Sequence, residues 1–140
     1  MQVRRDGKDV LIRLDPGEEM IETLTRWAKN NDVPSAIITG LGAIREVRLG
    51  YFDLNDGKYI EIPVPRHVEI VSLDGSIAQL NGEPHCHIHV TVSSSGGGTI
   101  AGHLFQAVVS ITAELHLTIL KEPIKRVKDT ATGVLLWDLS

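Results

Sequence analysis

Aromatic side chains are scarce in this chain, only 4% of residues, so any core must be packed from Val, Ile, Leu and Ala. Cysteine is nearly missing as well. Cys86 stands alone, which excludes an internal disulfide framework and fits a reducing compartment. No apolar run approaches the length of a membrane span, and Met1-Gln2-Val3-Arg4-Arg5-Asp6 lacks the apolar segment of a secretory signal, so a cytoplasmic protein with no membrane partner is expected. Positive charge is not in excess. A net charge of −4 argues against the basic stripe on which strong nucleic-acid binders rely to neutralise phosphates. Internal repeats and an interdomain linker are both missing, and 140 residues suit one domain over residues 1–140.

The chain is rich in short alternating apolar runs. Val10, Ile12 and Leu14 predict a strand with one buried face. Asp15-Pro16-Gly17-Glu18 then reads as a helix start, with Asp15 as cap and Glu18 completing a capping box. Met20, Ile21, Leu24, Trp27 and Ala28 recur at helical spacing until Asn30-Asn31-Asp32 and Pro34 end the helix. Strand patterns follow at 35–39, 44–52, 58–64, 67–80, 85–93, 99–103 and 108–120. Gly40-Leu41-Gly42 is expected to break the first of these, and Asp74-Gly75 to bend the long one. Asn81-Gly82 is a hairpin signal, and Val134–Trp137 in the tail should dock on the domain. The fold class expected is α+β: an antiparallel-dominated mixed β-sheet with one main helix packed on a face.

Chemistry concentrates in Pro84-His85-Cys86-His87-Ile88-His89-Val90. Side chains alternate across a strand, so His85, His87 and His89 share one face, while Cys86, Ile88 and Val90 point into the core. If Ser94–Gly98 is a five-residue hairpin loop, Ser93 faces Thr99 and His89 falls opposite His103. That register brings His87, His89 and His103 within reach of one transition metal ion. Three imidazoles with open positions suit zinc, and also nickel, copper or iron. Protons should compete with the ion below about pH 6.5. His67 and His116 carry no such geometry. Known histidine motifs fit poorly: Ile88 stands where a metallo-β-lactamase needs aspartate, Ser93–Ser95 where a cupin needs glutamate, and a strand where a thermolysin-like protease needs a helix. Gly40-Leu41-Gly42 lacks the third glycine and the helix of a dinucleotide loop, and no lysine follows Gly96-Gly97-Gly98 to hold a phosphate.

Several segments together resemble the plant and prokaryote conserved (PPC) domain. They are Thr39–Ala43 leading to Leu49–Asp53, then Leu73–Ile77, then Pro84 with His87-Ile88-His89-Val90 and Ala101-Gly102-His103-Leu104. The resemblance runs from about Val10 to Leu120 and is of the stand-alone prokaryotic type, without an AT-hook. It implies a homotrimer, with His87, His89 and His103 as metal ligands, zinc being the usual suggestion, and His85 a variable neighbour. It also implies a predicted DNA-binding protein, although the Arg-Gly-Arg-Pro hook of the plant proteins is missing, which puts direct DNA binding in doubt. Ala101 replaces a frequent glycine, a small change.

Three functions remain open from sequence. One is a regulatory or interaction module, with DNA or a regulatory protein as partner. Another is a metal-dependent enzyme acting on a small molecule, for which Glu114 is the one acid or base that can be named and the catalytic residues are otherwise unknown. The third is direct DNA binding through Arg4, Arg5, Lys125, Arg126 and Lys128, which otherwise read as solvated termini.

Overall fold

The alternation at Val10, Ile12 and Leu14 becomes a strand in the computed structural model, which describes residues 1–140. This strand, β2 (Asp9–Leu14), pairs antiparallel with β1 (Gln2–Asp6), an exposed edge with no apolar alternation to announce it. The helix, α1 (Met20–Asn30), buries Met20, Thr23, Leu24, Trp27 and Ala28. It does not start at Pro16 as the capping pattern predicts. Gly17 donates its N–H to the Val109 carbonyl and Val109 returns a bond to Glu18, both at 2.9 Å, so this segment runs along a strand. Gly17 takes φ +90°, which glycine reaches without strain. Glu18 still reaches back to the Asp15 N–H at 2.7 Å, but Glu19 is the cap, accepting from Glu22 N at 2.6 Å.

Two long strands organise the sheet. The runs expected at 35–39 and 44–52 are one strand, β3 (Ser35–Asp53), and those at 99–103 and 108–120 are one strand, β7 (Thr99–Leu120). Gly40 and Gly42 do not break β3. They lie where its register shifts, and a Cβ on Gly40 would come within 2.5 Å of Leu115 Cδ2, so the glycine reflects close approach of β7. β4 (Lys58–Ile62) folds back on β3 after the turn at Gly57. β5 (His67–Leu80) and β6 (Glu83–Ser93) form the hairpin announced by Asn81-Gly82. The irregularity in β5 falls between Ile70 and Ser72, not at Asp74-Gly75, which pairs regularly on both sides.

β3 pairs with β5, β5 with β6, β6 with β7, and β7 with β3, so the pairing circuit closes. Closure needs β3 and β7 to bend, and their shifts near Gly42 and Arg45–Leu49 supply local twist. One cluster of 26 buried apolar residues fills the interior, joining α1 to the inner faces of β2, β3, β5, β6 and β7. The tail forms a second hairpin, β8 (Lys125–Lys128) and β9 (Leu135–Asp138), in which the segment expected to dock on the domain pairs instead with the other tail strand. The class is α+β: a sheet-dominated, mostly antiparallel fold, made mixed by a single parallel pair, Gln79 with Lys125. No helix is long and apolar enough to cross a membrane.

Candidate metal centre

The strand β6 presents its residues as the alternation requires. Ile88 and Val90 are buried on one side with Cys86, whose thiol accepts from Thr25 Oγ1 at 3.4 Å and is pushed up to about 11 by burial. Cys86 therefore faces α1 and is no ligand. On the other side His89 stands opposite His103, the register implied by a five-residue loop, with Ser93 opposite Thr99. His87 is next along the strand. The three rings approach one another with centroids 5.0 to 5.4 Å apart, and one nitrogen from each lies within 4.8 Å of the others. Small side-chain rotations would close that gap to the spacing of ligands around one ion. His85 does not join this group.

Packing fixes the rings. His103 lies against Phe105 at 4.6 Å and Tyr59 at 5.1 Å between centroids, so β4 supplies a wall of the site. Its Nδ1 is buried without a hydrogen-bond partner, an orphaned polar atom of the kind a metal would satisfy. Burial, and then the Arg126 cation and the nearby histidines, lower His87 to about 4. Burial and then His89 lower His103 to about 4. Both are therefore neutral at pH 7, the protonation state a metal requires. The donor set fits a borderline-soft cation, and a bound ion would act there as a Lewis acid with coordination positions left for water or a ligand.

These shifts set a pH dependence. Without metal, the unfolded chain takes up protons near pH 6.5, whereas folded His87 and His103 do so only near 4. Stability should therefore fall as pH falls from 6.5 towards 4, by on the order of 1 kcal/mol per ring once solvent screening is discounted. Urea melts in chelator at pH 7 and 4.5, compared with a His87→Gln, His103→Gln variant, check this: the variant should lose less.

The other residues singled out in the sequence lie elsewhere. Glu114 is exposed, opposite Arg13 and Leu41, and lines a groove of about 500 Å³ outside the histidine cluster. His116 meets Asp9 at 3.0 Å, and His67 is exposed. Arg126 overturns its reading as a solvated terminal charge. It is only 7% exposed, and its Nη2 donates to His87 Nδ1 at 2.9 Å and to Ser76 Oγ at 3.3 Å, while Nη1 donates to the Leu135 carbonyl. No local pattern marks it, because the contact depends on where the tail hairpin docks. Asp74, across from His89, and Trp137 from β9 line a shallow depression of about 400 Å³ beside the histidines.

Residues 1–121 match the Plants and Prokaryotes Conserved (PCC) domain, the family that the histidine strand and its flanking segments resemble. The chain belongs to this family. Among solved structures of similar fold, a candidate DNA-binding protein from Bacteroides thetaiotaomicron is 26% identical, with TM-score 0.93 over 98% of this chain and 96% of that one. A metal-containing protein from Archaeoglobus fulgidus is 32% identical, with TM-score 0.85 over 94% and 93%. A bifunctional GlmU protein of a Synechococcus strain is 27% identical over 127 residues, 89% of this chain. The matched segment spans 19% of that curated relative's length. The PCC match ends at residue 121, so the hairpin that carries Arg126 lies beyond the matched segment.

Proposed function

We propose that this PCC domain is a trimeric metal-binding module of regulatory or binding function, with zinc held by His87, His89 and His103. The observation that carries the reading is the convergence of three imidazoles, one with an orphaned buried nitrogen, on adjacent strands. The metal-containing relative from Archaeoglobus fulgidus supports it. Zinc is the ion proposed because three imidazoles with open positions are a zinc donor set. Elemental analysis of the purified protein, before and after supplementation, tests the site: about one ion per chain is expected, and none after zinc loading overturns it.

The trimer draws on the family resemblance and on exposed apolar residues of the sheet, Leu11, Leu41, Val71 and Ile111 among them. Sedimentation at micromolar concentration should give three times the monomer mass, and a monomer would refute the assembly.

Direct DNA binding is the weaker part of the family reading. The Bacteroides relative favours it, but the net charge is −4 and Arg126 is withdrawn from the surface. Titration with duplex DNA at physiological salt should show affinity no better than the non-specific range of roughly 10⁻⁴ to 10⁻⁶ M. A metal-dependent enzyme is the second reading, favoured by Asp74 beside the histidines rather than by Glu114. It requires that Asp74→Asn leave metal content intact while removing a turnover that metal loading confers.

A further inference from the structure

We propose that the C-terminal hairpin is a metal-responsive latch: Arg126 and a metal ion compete for His87, so metal binding releases β8 and β9 from the histidine cluster. The inference rests on the reading of the three histidines as a metal site and adds to it a regulating residue outside the matched family segment.

Donor and acceptor counting carries the proposal. A guanidinium has five donors and no acceptor, and a neutral imidazole has one N–H and one acceptor nitrogen. The His87 nitrogen facing Arg126 Nη2 at 2.9 Å must therefore accept, which leaves the proton on the other ring nitrogen. One nitrogen is occupied by the guanidinium and the other has no lone pair to offer. Turning the ring over exchanges the names of the atoms and changes nothing else. A neutral His87 thus binds Arg126 or a metal, not both at once.

Charge acts in the same direction. The hydrogen-bond partners of Arg126 are the Leu135 carbonyl, Ser76 Oγ and His87, all neutral, and its Nε has no partner. No carboxylate on these partners offsets the guanidinium, so a divalent cation beside it would be repelled at close range.

The hairpin is attached in a way that permits release. β8 and β9 pair with each other from Lys125–Asp138 to Lys128–Leu135, but β8 meets the rest of the sheet through one residue pair, Gln79 with Lys125. The chain just before it is pinned, by Ser35 Oγ on the Glu122 carbonyl at 2.6 Å and by Gln79 N on the Ile124 carbonyl at 2.7 Å. Residues from Lys125 onward can therefore swing about a fixed base. Trp137, which faces Arg126 in the hairpin register and lines the depression with His87 and His89, would leave with it.

The test is amide hydrogen exchange of the full chain with and without zinc, together with zinc affinity of the wild type and Arg126→Met. Zinc should speed exchange across Lys125–Asp138, and Arg126→Met should bind zinc about 10- to 100-fold more tightly, the size of a hydrogen bond to a charged group. Zinc bound by the wild type with unchanged or slower hairpin exchange overturns the latch and leaves the metal site standing. Equal or weaker binding by Arg126→Met also overturns it, since Arg126 would then support a metal-bound His87. Zinc bound by neither protein refutes the metal site, and the latch with it. Binding by Arg126→Met alone supports the latch. Should the variant fail to fold, the wild-type exchange experiment still decides.

Discussion

Replacing His89 by Ala is expected to abolish metal occupancy, weakening affinity by more than the roughly 10- to 100-fold that loss of an outer-shell partner costs. His89 is the residue shared by both pairings: it follows His87 on β6 and stands opposite His103 on β7. Unlike His87, it has no hydrogen bond to Arg126 that a metal must displace. His85→Ala should change occupancy little, because His85 lies outside the group whose nitrogens converge. The fold should survive both changes, since Ile88 and Val90, on the opposite face, supply the core contacts of this strand. Zinc per chain in the wild type and the two variants is the measurement, with a urea melt beside it. Equal metal in all three would remove these histidines from the site.

The second large effect is expected at Gly75. It lies in β5 between Ile38 of β3 and Ile88 of β6, and a Cβ there would sit 2.6 Å from the His87 carbonyl oxygen and 2.8 Å from Ile88 Cγ1. The nearer obstacle is backbone, which cannot rotate away. Gly75→Val should destabilise the chain by at least about 1–3 kcal/mol, the usual cost of overpacking. It should also displace β6 at His87 and so lower metal affinity. Gly96→Ala, in the loop with open space around it, is the control and should stay within about 0.5 kcal/mol. Melts and zinc titrations of both variants check the coupling, and a Gly75→Val protein of wild-type stability would contradict it.

The two predictions differ in how they could be reached. His89 and its partner across the loop are legible in the chain itself, because alternation assigns a face and a five-residue loop assigns a register. Gly75 is visible only as an interruption of a strand pattern, which reads as a bend. The space it preserves belongs to β6, and the actual irregularity falls between Ile70 and Ser72.

The helix start shows the same division. Asp15-Pro16-Gly17-Glu18 has the local chemistry of a cap, and Glu18 makes its local bond. Two main-chain bonds to Val109 nevertheless tie Gly17 and Glu18 to β7, and the helix waits for Met20. Local preference yields where a distant strand offers the same backbone groups better partners.

By itself the sequence determined the period of the core-facing strands, the one helix, the hairpin turns and the meeting of His87, His89 and His103, because each depends on spacing within a short stretch or across one turn. Tertiary structure alone decided the closed circuit of β3, β5, β6 and β7, the orphaned nitrogen of His103, and the burial of Arg126 against His87. Those contacts join residues far apart in the chain. Arg126 meets Ser76 across 50 positions and His87 across 39, and no periodicity extends over such a distance.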